Sequence, residues 1–420
     1  MLPGNGIILA MTWGIFHFVS RGVGIEIWNG TEDGYIVIFL LLWAIGYKSE
    51  YTGFMDNTGR KTHGKSKKII SRFLIGIVVV LLVIVVGAIA LFWNELRTIS
   101  SITKIDDYGA YQMTYYGDYG FDEFLEVGAQ SDADIEKFVV RKLLKGIPID
   151  LGVTGGGCTC FVVKNEQDEI LYGRNFDYSY SPTLQVFTEP KNGYASVSTV
   201  NLSFIGYSEG NLPEGSVFNK FLTLAAPYLP CDGINEKGVA IASLSVPNAE
   251  APYDSHKITL NISTATRLVL DKAATVDEAV ELLQKYNIYF SYDIAAHYLI
   301  ADASGKSVLV EYYDNELQIV ETDSNYQIAS NFIAYNGVNI GGGGTEFKRY
   351  NTVEKEILDN NGVLNEDDAV SLLAEVGVRD GDIDNLQWSA VYNLTTGEVY
   401  FFSHRNTDNV IISKLKMNHN

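Results

Sequence analysis

The apolar positions of this chain are concentrated at its start. Phe73 to Trp93, "FLIGIVVVLLVIVVGAIALFW", is an uncharged run long enough to cross a bilayer as a single helix. Two shorter apolar runs precede it, Gly6 to Ser20 and Tyr35 to Tyr47, each marginal in length and suited to a short span or an interfacial segment. Between the second and third runs lie Lys48, Arg60, Lys61, Lys65, Lys67, Lys68 and Arg72. The excess of cations next to an apolar helix places that stretch in the cytoplasm, so residues beyond 93 are expected outside it. A cleaved signal peptide fits poorly, because the long run lies far from the start.

Beyond the membrane region the pattern changes twice. "SDADIEKFVVRKLL", from Ser131, opens with a Ser-x-x-Asp capping pattern and puts Ile135, Phe138, Val139 and Leu143 on one face, which predicts an amphipathic helix. From Cys158 onward, segments rich in β-branched and aromatic residues alternate with Gly, Asn, Asp and Pro: "CTCFVVK", "EILYGRN", "LQVFTE", "YASVSTV", "FLTLAAPYL" and "GVAIASLSV". Helical patterns follow at about 259–272 and, behind the box Thr275-x-x-Glu278, at about 276–286. The strand candidates "AHYLIAD", "SVLVEYY", "ELQIVET" and "YQIASN" come next, then helices at about 346–359 and 366–376, then "WSAVYNL", "GEVYFFS" and "NVIISKL". Blocks of strands separated by blocks of helices predict an α+β fold with mostly antiparallel sheets. The expected organisation is a membrane region over 1–100, a propeptide-like leader over 101–157 and a catalytic domain over 158–420.

Charge sharpens this division. Residues 1–100 hold nine Lys and Arg against six Asp and Glu, whereas the remainder holds 22 against 45, a net charge near −23. That balance excludes nucleic acid as a partner, since phosphate binding needs clustered cations, and suits a soluble extracytoplasmic domain. Only three cysteines occur, Cys158, Cys160 and Cys231, so a disulfide framework is not what holds the domain together. No His lies near the C-x-C pair in sequence, and no metal or other cofactor is expected.

The stretch "TGGGCTC", residues 154–160, is where chemistry enters. Three glycines give the bond before Cys158 unusual freedom, so a downstream thiol could turn back on the preceding carbonyl. Cleavage between Gly157 and Cys158 would create a chain beginning with Cys, whose α-amine could act as base for its own thiol. The other reading of the residues is a flexible linker ahead of an ordinary buried cysteine.

"CTCFVVKNEQDEILYGRNFDY", Cys158 to Tyr178, resembles the mature start of the N-terminal-nucleophile (Ntn) amide hydrolases of the choloylglycine hydrolase type, a group that includes penicillin V acylase, bile salt hydrolase and acid ceramidase. The match lies in Cys158-Thr159 and in Gly173-Arg174-Asn175-Phe176-Asp177-Tyr178, and the likeness continues through "CDGINEKGVAIASLSV", "IASNF", "EFKRYN" and "WSAVYNLTTGEVYFF". The resemblance implies a four-layer αββα sandwich and hydrolysis of a linear N-acyl amide through an acyl-enzyme, after autocleavage at Gly157-Cys158. It implies Cys158 as nucleophile with its own α-amine as base, Arg174 beside the sulfur, Asp177 holding the α-ammonium, Asn331 donating to the oxyanion and Arg349 ordering the polar network. Relatives carry Asn or Tyr where Ser245 stands, a shorter donor that puts any transfer of substrate preference in doubt. Penicillin acyltransferases share the same start, so acyl transfer to an amine is an alternative to hydrolysis, and a membrane-tethered protein that merely binds an acylated ligand is another.

Other features call for less. Gly341 to Gly344 lacks the Lys-Ser/Thr of a phosphate-binding loop, His256 and His297 read as loop and strand residues, Cys160 as packing, and Asp232 and Asn235 as turn residues ahead of a strand.

Overall fold

The computed structural model describes residues 63–149, 151–152, 156–380 and 383–419. The apolar runs at 6–20 and 35–47 lie outside the described residues. The chain divides into two compact units, 1–93 and 94–420.

The described part of the first unit is a helix, His63–Leu91. Its window Leu74–Leu91 has a mean hydropathy of 3.4 and none of it is buried, so by length and composition it can cross a membrane.

The second unit contains two large sheets. One has nine strands in the spatial order Thr103–Lys104, Ala110–Tyr115, Thr183–Thr188, Ser196–Asn201, Pro230–Asn235, Ala240–Ser245, Ala296–Ala301, Ser307–Tyr313 and Glu316–Val320. The other has six, in the order Gln327–Ala329, Gly157–Lys164, Ile170–Asp177, Leu386–Asn393, Glu398–Ser403 and Ile411–Lys414. Neighbours in both are antiparallel except Ala110–Tyr115 beside Thr183–Thr188, which run parallel.

Strand alternation sorts side chains into layers. Cys158, Cys160 and Val162 share a buried core between the sheets with Ala242, Leu244, Leu299 and Trp388. Phe161 and Val163, one position off, point the other way and pack with Val353, Ile357 and Leu373. Those three belong to helices Thr345–Asp359 and Glu366–Val376. Tyr298 and Ile300, on the far face of the nine-stranded sheet, pack with Leu268, Val269 and Leu283. Helices Ile262–Lys272 and Val276–Gln284 supply that cover. The result is a mixed α+β fold whose layers run helix, sheet, sheet, helix.

Two expectations change. "FLTLAAPYL" is helical, with Val217–Leu222 passing into a 3-10 turn at Thr223–Tyr228, because Pro227 removes a ladder donor in a stretch whose residues from Thr223 on are all buried. The helix after Ser131 runs Asp132–Lys142, but the Ser131 side chain does not cap its amides. Instead Asp134 Oδ2 accepts from the Gln130 amide at 3.1 Å and from Ser131 Oγ at 3.0 Å.

The described residues of the stretch 101–157 pack within the second unit. Ala110–Tyr115 makes six registered pairs with Thr183–Thr188, and Tyr111, Met113, Phe121, Phe124, Ile135 and Phe138 lie in the helix-side core. Tyr119 donates its hydroxyl to Asp271 at 2.7 Å, and Tyr228 donates to the Tyr119 carbonyl at 3.0 Å.

If these contacts count energetically, truncating one of the leader's core residues should be as costly as truncating any other. Phe124 is fully buried, 5.1 Å from Phe138 and 5.3 Å from Tyr228 by ring centroid. Phe124→Ala is expected to cost about 3–5 kcal/mol in denaturant unfolding, and a cost below about 1 kcal/mol would mean that the leader is dispensable to the fold.

Candidate active site

Antiparallel pairing sets Gly157 opposite Asp177, Cys158 opposite Phe176 and Cys160 opposite Arg174. Alternation then splits the polar residues between two faces of one sheet. Cys158, Cys160, Arg174 and Phe176 face the inter-sheet side, whereas Thr159, Asn175 and Asp177 face the helices. The junction between Gly157 and Cys158 is addressed from both.

On the inner face Arg174 is fully buried. Its Nε lies 3.3 Å from Asp232 Oδ2, its Nη2 donates to the Ser243 carbonyl at 3.0 Å, and its Nη1 lies 3.8 Å from Cys160 Sγ. The nearby Cys158 and Cys160 thiols and the Asp232 carboxylate keep the guanidinium charged despite its burial. Burial pushes the Cys160 and Cys231 thiols up to about 12, so both stay protonated. Cys158 Sγ lies 4.0 Å from the Ser243 carbonyl oxygen, and the residue is 3% exposed.

On the outer face the Arg349 guanidinium, from helix Thr345–Asp359, gathers the backbone around Cys158. Its Nη1 donates to the Cys158 carbonyl at 2.5 Å and to Thr159 Oγ1 at 2.7 Å, its Nη2 donates to Asn331 Oδ1 at 2.8 Å, and Asp177 Oδ2 lies 3.6 Å away. Asn331 Oδ1 also accepts from the Cys158 amide at 2.7 Å. With two donors facing Oδ1, the Asn331 amide group turns outward and donates to the Ser245 carbonyl at 2.7 Å and to Ser245 Oγ at 3.2 Å. Ser245 Oγ in turn donates to the Gly156 carbonyl at 2.5 Å.

Asp177 is the uncomfortable member. Oδ1 accepts from the Val378 amide at 2.7 Å, but Oδ2 is buried without a hydrogen-bond partner. Burial raises its pKa above the ordinary carboxyl range, with the Arg349 charge opposing.

Gly156 and Gly157 let the chain pass close to Asp177. Gly157 opens an extended strand, and neither Gly156 nor Gly157 has a left-handed φ. A Cβ on Gly156 would sit 2.5 Å from the Asp177 carbonyl oxygen, and one on Gly157 would sit 3.1 Å from Asp177 Cβ. The missing side chains let the leader's end lie against Asp177.

The structure thus brings Cys158, Arg174, Asp177, Ser245, Asn331 and Arg349 into one connected cluster. Asp232 belongs to it as well and corrects the turn-residue reading. It is fully buried within the strand Pro230–Asn235, where it accepts from Arg174, from Trp388 Nε1 at 3.3 Å and from the Tyr392 hydroxyl. Asn235 does act at the turn, accepting from the Lys237 and Val239 amides while donating to the Leu270 and Ala273 carbonyls. His297 is a buried strand residue whose Nδ1 lies 2.9 Å from Glu311. A small cleft opens over Cys158, with Phe176, Phe204, Leu229, Ile262 and Ile294 among its apolar walls.

The strain on Asp177 has a pH signature. A carboxyl whose folded value lies above its unfolded value binds more protons folded than unfolded, so the folded state loses stability as pH rises through the carboxyl range. In a Cys158→Ala background, Asp177→Asn should remove that loss. The Tm difference between the two proteins is expected to move in favour of the Asn variant as pH rises above about 4, the ordinary carboxyl value; a difference independent of pH would contradict it.

Residues 158–361 match the profile of the linear amide C-N hydrolases, choloylglycine hydrolase family. A bile salt hydrolase/transferase of Clostridium perfringens is 29% identical over 184 residues, 41% of this chain and 53% of that protein. A penicillin V acylase of Pectobacterium atrosepticum is 34% identical over 111 residues, 24% of this chain and 29% of that protein. This chain therefore aligns with about half, or less, of the length of these relatives. Among solved structures, the conjugated bile acid hydrolase from Clostridium perfringens superposes with a TM-score of 0.43 at 19% identity, over 62% of this chain and 97% of the other. The penicillin V acylase from Agrobacterium tumefaciens gives 0.39 at 20% identity, over 59% and 83%. Over residues 158–361 the chain is thus similar to the linear amide C-N hydrolases of the choloylglycine hydrolase family.

Proposed function

We propose that the chain is a membrane-tethered Ntn amidase that cuts itself between Gly157 and Cys158 and then hydrolyses a linear N-acyl amide through a thioester on Cys158. The observation that carries this reading is the orphaned Asp177 Oδ2 beside that junction. In the uncut chain the Cys158 nitrogen is an amide with one hydrogen, already given to Asn331. Cutting converts it to an amine that holds up to three, so the bond to Asn331 is kept and a donor becomes available for Asp177.

Self-cleavage proceeds by attack of Sγ on the Gly157 carbonyl. The Gly157–Cys158 C–N bond breaks, the nitrogen takes the thiol proton, and water hydrolyses the resulting thioester to leave a carboxylate on Gly157. With a substrate, the neutral α-amine takes the Cys158 proton, sulfur attacks the amide carbon, the departing amine receives that proton, and water releases the acid. Arg174 keeps its positive charge on the sulfur side of Cys158. The Asn331 amide, next to Cys158, supplies an oxyanion donor once the leader's end has moved, a contribution worth on the order of 3 kcal/mol. Water and a second amine compete for the same thioester. The relative named hydrolase/transferase makes amine competition worth measuring in the product analysis.

The tether is the helix His63–Leu91, supported by its uninterrupted apolar surface. The basic stretch before it lies in the cytoplasm and the catalytic unit on the extracytoplasmic side.

N-terminal sequencing of the purified protein should give a fragment beginning Cys-Thr-Cys. Cys158→Ala should leave the chain whole and reduce amide hydrolysis by at least 10³-fold. An uncut chain with full activity, or an active Cys158→Ala protein, would overturn the proposal. The two fragments should also travel together in gel filtration without denaturant, because the leader's strand and core residues are held by noncovalent contacts; a catalytic fragment that elutes alone would show that those contacts do not suffice.

A further inference from the structure

Asp132 stands out once the cleft over Cys158 is read for charge. The walls include aliphatic and aromatic groups and the hydroxyls of Ser245, Ser263 and Ser291, but no Lys, Arg or His. Asp132 is the one carboxylate among the lining residues. It also has no cationic partner within ion-pair distance among the described residues.

An acid in the first turn of a helix usually needs no explanation beyond the helix dipole. Here that role is taken by Asp134, whose Oδ2 accepts from the Gln130 amide and the Ser131 hydroxyl. Asp132 turns away from its own helix. Its Oδ1 accepts from Ser291 Oγ at 2.6 Å and from the Tyr289 hydroxyl at 3.1 Å, two side chains from a segment 157 to 159 positions later in the chain. The carboxylate is thus held across the cleft by neutral donors that leave its charge uncompensated.

The acyl side of the cleft can be read from the uncut chain. In the Gly157–Cys158 amide the leader is itself the acyl group, and Leu151 and Gly156 of that leader line the same cleft as Asp132. Tyr292 donates its hydroxyl to the Leu151 carbonyl, and the Leu151 amide donates to Glu136 on the Asp132 helix at 2.9 Å. A substrate acyl chain that takes the place of the leader's end therefore runs along the apolar walls toward Asp132.

We infer that Asp132 sets specificity in this cleft and that the preferred substrate carries an ammonium group on its acyl chain. The inference rests on the amidase reading above, because it needs Cys158 to be the acylated residue. A carboxylate or sulfonate in the same place would meet the like charge of Asp132 where no lining residue is cationic, and would be disfavoured.

The test uses the full, self-cleaved chain and three matched p-nitroanilides, those of 6-aminohexanoic acid and hexanoic acid and the mono-p-nitroanilide of adipic acid, which keeps a free carboxylate, with longer homologues of each. The cationic member should exceed the neutral one in kcat/KM by about fivefold at low salt, the anionic member should fall below both, and the spread should shrink with added salt. Asp132→Asn should abolish the advantage of the cation over the neutral chain. A wild-type enzyme indifferent to charge, or favouring the anion, overturns the inference while leaving the amidase reading intact, as does a cation preference that survives Asp132→Asn. An uncut chain that turns over none of the anilides overturns both.

Discussion

The Arg349 guanidinium is the one charge on which the geometry around Cys158 depends. It comes from the helical layer, yet its contacts are with the Cys158 carbonyl, Thr159, Asn331 and Asp177, which lie on two strands and a loop. A guanidinium can do this because its donors fan out in a plane, whereas a lysine ammonium would address one partner at a time. Its cost is desolvation, offset by the carbonyl and carboxyl oxygens around it. The consequence is a strand start whose carbonyl, amide and facing asparagine are fixed before chemistry begins.

Placing the charged groups on two faces of one sheet separates two tasks. Arg174, with Asp232 as its buried counter-ion, works on the sulfur side. Asp177 and Arg349 work on the backbone side, where the proposed scissile bond lies. The leader completes the design. It supplies a strand of the nine-stranded sheet, a share of the core and part of the cleft wall, so in the proposed mature protein a cut at Gly157 severs the chain without removing its contacts.

How much of this was legible beforehand follows from the range of the interactions. The Cys158 to Asp177 hairpin could be read because strand, turn and returning strand impose a local, two-residue period on the chain. The helix expected at about 276–286 announced itself through its capping pattern and runs Val276–Gln284. Asp232 could not be read, since its meaning lies in Arg174, Trp388 and Tyr392, far away in sequence, while its immediate neighbours look like a turn. The strand Ala110–Tyr115 was missed for a related reason: it is buried on both faces at most positions, so it shows no alternation. The stretch 221–229 misled because a buried apolar run looks the same in a helix as in a strand. The glycines at 156 and 157 were noticed for their flexibility, but their role is set by Asp177, whose approach only the folded sheet reveals.

The central claim is that Cys158 carries the acyl group. Acid-quenching the enzyme during turnover of an N-acyl amide, then digesting it and measuring peptide masses, tests this most directly. The account predicts an acyl adduct on the peptide that begins at Cys158, released by hydroxylamine as a thioester is. Turnover with that peptide unmodified, or with the adduct on Cys231, would contradict it.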